Sequence, residues 1–167
     1  SMLDPEEDIE RVGDDSFSFH YETRAILLNC ENQVPVTSKK DYAGGIVGRM
    51  DLGYILDCRN YGNVESTDGS YVGGIAGSSA STIRRSQSKC MASGKNFVGG
   101  IAGDGYNLTE NLAFVSIGDG EMYCGAIAGR VDDEGEISSN RFVENGSAGI
   151  DGVSYAGKAE PISYESL

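Results

Sequence analysis

The strongest constraint on this chain is a short block that occurs four times. Ala43-Gly44-Gly45-Ile46-Val47-Gly48 returns as Val72-Gly73-Gly74-Ile75-Ala76-Gly77, as Val98-Gly99-Gly100-Ile101-Ala102-Gly103 and as Cys124-Gly125-Ala126-Ile127-Ala128-Gly129. The first glycines, Gly44, Gly73, Gly99 and Gly125, lie 29, 26 and 26 residues apart. A degraded fifth copy, Ala156-Gly157-Lys158-Ala159, follows 32 residues after Gly125. One aromatic precedes each copy at a fixed offset: Tyr42, Tyr71, Phe97, Tyr123 and Tyr155. A fixed period of this length marks one supersecondary unit used repeatedly. Such a unit cannot bury its own apolar face, but a stack of them can.

The unit reads as strand. Leu28-Asn29-Cys30-Glu31-Asn32 matches Leu56-Asp57-Cys58-Arg59-Asn60, which continues as Tyr61-Gly62-Asn63-Val64. Looser echoes are Ile83-Arg84-Arg85-Ser86, Leu108-Thr109-Glu110-Asn111 and Ile137-Ser138-Ser139-Asn140. Short apolar runs divided by Gly, Asn and Ser suit strands and turns. A helix would lose about 1 kcal/mol at each glycine of the pair relative to Ala. The expectation is an all-β chain, a β-solenoid or β-helix-like stack of about five repeats of 26–32 residues with an N-terminal cap. Successive coils about 4.8 Å apart would make a rod of about 24 Å. The alternative is a compact antiparallel β domain or barrel. In the stack, Ile46, Ile75, Ile101 and Ile127 form a column that is the best core candidate.

The second unit, Leu56-Asp57-Cys58-Arg59-Asn60-Tyr61-Gly62-Asn63-Val64 followed by Tyr71-Val72-Gly73-Gly74-Ile75-Ala76-Gly77, resembles the GLUG repeat family. That pattern is an Asn-Cys-x-Asn-x-Gly-x-Val run and then a Gly-Gly-Ile-x-Gly run. The likeness covers residues 26–157; the later units keep the glycine block better than the Asn-Cys block. Such repeats occur in large secreted or surface-anchored bacterial proteins, including some immunoglobulin A-cleaving metallopeptidases, outside the zinc catalytic domain. The resemblance therefore implies a non-catalytic extracellular module beside other domains of a larger parent chain. It carries over no ligand.

The ends depart from the repeat. Asp4-Pro5-Glu6-Glu7 has the grammar of a helix start, with Ile9 and Val12 on one face, and predicts a short helix or extended segment over the first coil. Phe17-Ser18-Phe19-His20-Tyr21 alternates as an edge strand does. Residues 1–20 are thus read as a cap or leader, 21–158 as the repeat domain and 159–167 as a tail, with Glu160-Pro161 at the boundary. Ser1-Met2 reads as a cloning remnant ahead of a fragment, and residues 1–15 lack the apolar stretch of a signal peptide.

Composition narrows the chemistry. The 167 residues carry a formal charge of −13, which disfavours nucleic acid and anionic membranes as partners. No apolar run reaches the length of a membrane span. His20 is the single histidine, and no H-E-x-x-H surrounds it. Cys30, Cys58, Cys90 and Cys124 show no close pair of the kind zinc sites use; they read as small buried hydrophobes, and the sequence leaves their disulfide state open. No catalytic residue, metal ligand or cofactor is assigned. Asp132-Asp133-Glu134-Gly135-Glu136 and Asp14-Asp15 could offer oxygen to calcium, but they match no calcium loop and read as solvated turns. Arg84-Arg85 with Lys89 is the one basic cluster, either paired with neighbouring acids or open to an anionic partner.

The aromatic column Tyr42, Tyr71, Phe97, Tyr123 and Tyr155 is the candidate ligand-binding surface. Facing out, it would offer rings to a sugar or peptide. Strand alternation instead puts each ring on the face of the Ile four residues on, which favours core filler; a corner at the Gly-Gly pair would reverse this. The function expected is an adhesin-like module binding a host glycoprotein or glycan. The alternatives are a stalk presenting another domain and, less favoured, a carbohydrate-active β-helix enzyme.

Overall fold

The computed structural model describes residues 9–12, 16–19, 25–118 and 120–166, with side chains from residue 25 onward. From Ala25 the chain winds as a β-solenoid of about four turns, and every sheet along it is parallel. The first sheet stacks Ala25–Leu28, Gly53–Leu56, Thr82–Arg84, Asn107–Thr109 and Ile137–Ser138. The third stacks Ala43–Gly44, Val72–Gly73, Asn96–Gly99 and Met122–Gly125; the fourth stacks Val47–Met50, Ala76–Ser79, Ala102–Gly105 and Ala128–Val131. Between first and third lies the longest sheet. It contains Gln87–Ser93, Leu112–Gly118, Asn140–Val143 and Ala159–Ile162, and its strands are broken in two in the first two turns.

Register follows the sequence repeat. Val72 pairs with Ala43 on one side and Val98 on the other, and Val98 pairs with Cys124. The isoleucine rung is continuous: the Ile46 N–H donates to Ile75 O, Ile75 N–H to Ile101 O and Ile101 N–H to Ile127 O. Ile75, Ile101 and Ile127 are fully buried, together with Ile55, Ile83 and Leu108 from the first sheet. Ile46 in the outermost turn is only partly covered. Alanines 76, 102, 113, 126 and 128 fill the narrow interior between these columns.

The turns bend at two columns of residues in the left-handed backbone region. Asn29, Asp57, Arg85, Glu110 and Ser139 form one, with φ between 50° and 58°. The aromatics that precede the glycine blocks form the other. Just after the first corner, a column of small polar groups lines the interior. Cys58 N–H donates to Ser86 Oγ (3.2 Å), Ser86 N–H to Asn111 Oδ1 (2.9 Å) and Asn111 N–H to Asn140 Oδ1 (3.2 Å). Asn111 Nδ2 also donates to Ile83 O (3.0 Å), and Asn140 Nδ2 to Leu108 O (2.7 Å). Each buried amide thus ties backbone groups of adjacent turns, as burial of polar groups demands. A second, two-rung ladder joins Asn32 Nδ2 to Asn60 Oδ1 (2.8 Å) beside the breaks in the long strands.

Two expectations need correction at the ends, and a third is met by one of its two alternatives. Of the helix or extended segment expected near the N-terminus, the described part is extended: Ile9–Val12 is a strand paired antiparallel with Ser16–Phe19, and residues 4–8 lie outside the described residues. The apolar alternation of Phe17 and Phe19 supplies a strand partner, and helix propensity is a weak prior against pairing. Glu160-Pro161 is not a boundary but the middle of the last strand, Ala159–Ile162, whose partner is Asn140–Val143. The fifth glycine block is Ala148-Gly149-Ile150, not Ala156-Gly157-Lys158-Ala159. Ile127 N–H donates to Gly149 O and Ala128 bridges to Ile150, so Gly149 takes the isoleucine rung, and the Phe142 ring lies where a side chain there would go.

Candidate functional site

Four of the five predicted aromatics form a ladder. The rings of Tyr42 and Tyr71, Tyr71 and Phe97, and Phe97 and Tyr123 are stacked, with centroids 4.9, 4.7 and 4.6 Å apart and planes within 13°. Tyr155 is not part of it; its ring lies near Lys158 Nζ instead. The column is not core filler. Tyr42, Tyr71, Phe97 and Tyr123 adopt φ of 67°, 65°, 56° and 57°. That left-handed residue breaks strand alternation and turns the rings to the outer surface, where they are half-buried, while the Ile four residues later points inward. The stacking itself covers the ring faces, and the Arg49 guanidinium sits 5.2 Å from the Tyr42 centroid at one end. What the ladder presents outward is mostly ring edge, whereas a sugar packs on a ring face.

The ladder holds the turns together. Phe97→Ala should cost about 2 kcal/mol, since two stacked contacts and their buried area are lost. Phe97→Gly should be no worse, because glycine adopts φ near 56° without the Cβ penalty. Chemical denaturation of both variants checks this; a Gly variant clearly weaker than the Ala variant would refute the strained-corner account.

A different surface has the shape of a binding site. The outer face of the longest sheet carries a groove of about 430 Å³. Along one side run Gln87, Leu112 and Arg141, on successive rungs. Along the other run Tyr61, Lys89 and Phe114: Lys89 pairs in register with Phe114, and Tyr61 follows Asn60, the partner of Ser88. The chain after Ala159–Ile162 then folds over this face. The Tyr164 ring tilts against Phe114 (centroids 5.6 Å apart, planes at 47°) and closes one end of the groove. Lys89 Nζ lies 5.4 Å from the Phe114 centroid. Among the described residues, the lining contains no carboxylate, thiol or imidazole.

Sequence reasoning overlooked this groove. The aromatics at its positions do not repeat, and Tyr164 lies in a segment read as a loose tail. The available signal was the register itself, since Asn60-Tyr61, Ser88-Lys89 and Ala113-Phe114 align once the turns are superposed.

The remaining candidates resolve into local roles. Arg84 bonds Glu110 (3.2 Å), and Arg85 grips both oxygens of Asp57 (3.0 and 3.3 Å) across neighbouring turns. The Arg85 hydrogen bond holds the Asp57 carboxyl below its usual range. Asp132 Oδ1 accepts from the Glu134 N–H in a tight turn, and Glu136 N–H donates to Asn107 Oδ1. Among the described residues no group of three His, Cys, Asp or Glu converges as metal ligands; His20, Asp14 and Asp15 lie outside them. The four cysteines are free thiols. Burial pushes the thiols of Cys58, Cys90 and Cys124 up, away from the thiolate that reactive cysteines need. No helix among the described residues is long and apolar enough to cross a membrane. No family model, curated protein or solved structure matches the chain.

Proposed function

We propose that this chain is a non-catalytic β-solenoid module of a bacterial secreted or surface protein, with an adhesin-like role in which it binds a host glycan or glycoprotein. The observation that carries this reading is the groove on the long sheet. Concave sites lined by aromatic and aliphatic groups with a few polar side chains are where ligands of this size bind. Tyr61 and Tyr164 are 42% and 65% exposed there, so ring surface is available to a sugar, unlike in the stacked ladder. The extracellular placement rests on the resemblance of the repeats to GLUG sequences.

A second reading, a stalk that presents another domain, has its own support. The repeated columns are occupied by their own copies: ring on ring, amide on amide, guanidinium on carboxylate in the next turn. A glycan and glycoprotein array probed with the purified protein separates the two. Binding to one or more glycan classes is expected. Silence across the array at high protein concentration would leave the stalk.

A further inference from the structure

We infer that the groove on the long sheet selects oligosaccharides carrying carboxylate groups. This rests on the glycan-binding reading above and names the chemistry of its ligand. The chain has a formal charge of −13, yet among the described residues the only charged side chains lining the groove are cations, Lys89 and Arg141. Both are exposed, and among the described residues neither forms an ion pair. The other described arginines are already paired: Arg49 with Asp51, Arg59 with Glu31, Arg84 with Glu110, Arg85 with Asp57 and Arg130 with Asp104. Lys39, Lys40, Lys95 and Lys158 also stand outside these ion pairs; what sets Lys89 and Arg141 apart is that, of the described cations, they are the two that line the groove.

Their placement fits a saccharide rather than a lone anion. Lys89 and Arg141 sit on strands two rungs apart and are offset by two residues along the strand, so their backbones are separated by about 12 Å. Between them lie Phe114 and Leu112, an apolar floor for the flat face of a sugar ring. Tyr61 and Tyr164 flank this floor, and the Gln87 amide adds a neutral hydrogen-bonding group for hydroxyls. Arginine meets a carboxylate through two parallel N–H donors, which gives it more geometric selectivity than lysine. Acids stand close by: Glu160 pairs in register with Arg141, and Glu165 neighbours Tyr164, but neither lines the groove. Glu160, one rung from Arg141, offsets part of its charge, so the Lys89 side is the more strongly cationic part of the groove.

The test uses titration of the purified chain with trigalacturonate and 3′-sialyllactose, each against a neutral counterpart, galactotriose and lactose. At low ionic strength at least one carboxylated sugar should bind ten-fold or more tighter than its neutral partner, and the preference should shrink as salt is raised. Whichever acid binds tells whether the carboxylate comes from a uronate or from a sialic acid. Arg141→Gln and Lys89→Gln should each reduce the acid preference about five- to ten-fold while neutral-sugar binding stays the same. Tyr61→Ala should weaken acidic and neutral sugars alike. All three sites are exposed, and an unchanged circular dichroism spectrum and melting temperature confirm that the variants fold. Acidic sugars bound equally well by the Lys89→Gln, Arg141→Gln double variant would overturn the assignment of this groove while leaving the glycan-binding reading in place. Neutral sugars bound as tightly as acidic ones would overturn the selectivity. If no saccharide binds at millimolar concentration, the glycan-binding reading falls and takes this inference with it.

Discussion

Gly74→Val should destabilise the protein by about 3 kcal/mol, with a fall in melting temperature of about 6–12 °C. A Cβ at residue 74 would run into the carbonyl oxygen of Gly100, one turn on, and into the Ser88 side chain. The first of these is backbone inside the parallel stack, so relief requires a whole rung to move. Gly74 is not held at positive φ; it is glycine because turns approach too closely there for any side chain. The valine adds two methyl groups beyond that Cβ. Gly118→Ala is the control, since a Cβ there meets only the Ser93 Cβ at 3.4 Å, an ordinary contact. It should cost less than 1 kcal/mol by the usual size of surface substitutions. Equal melting temperatures for Gly74→Val and the unaltered protein would remove the close-packing explanation of the glycine block.

Ile101→Ala should cost about 3 kcal/mol, read from denaturant unfolding. Ile101 is fully buried, with Ile75 and Ile127 on the rungs either side, so neither neighbour can relax into the space. Ile46→Ala should cost clearly less, because among the described residues Ile46 has a rung on one side only and it is already partly exposed. The ordering of these two variants is the sharper check. In a stack the penalty depends on position along the axis, whereas in a compact domain it would track residue type. An Ile46 variant as damaging as the Ile101 variant would contradict a core built rung by rung.

The fold was legible because its period is written in residues that the backbone itself demands. The Gly-Gly-Ile block repeats where turns approach most closely, and the isoleucine column falls where it was expected. What the sequence concealed was governed by backbone dihedrals. Alternation would send Tyr71 and Ile75 to one face, but the left-handed φ at Tyr71 sends them to opposite ones, and nothing in the identity of a tyrosine announces that conformation. The last turn was misread for a related reason. Gly149 replaces an isoleucine and Phe142 supplies the missing volume from another strand, so the unit survives in space after its motif has gone. The groove escaped because it is assembled from non-repeating residues of four rungs and a C-terminal segment that has no repeat grammar.

Asn29, Asp57, Arg85, Glu110 and Ser139 share one backbone conformation and almost no side-chain chemistry. Cornering is therefore indifferent to the alphabet used at the corner, within the modest energetic tolerance of non-glycine residues for that region. Mutation can redecorate this rim copy by copy, swapping an amide for a guanidinium or a hydroxyl, while the path of the winding stays as it was. The molecule thus keeps one contour over a varied outer edge in the same five residues, with Asp57 and Arg85 tied to each other across turns.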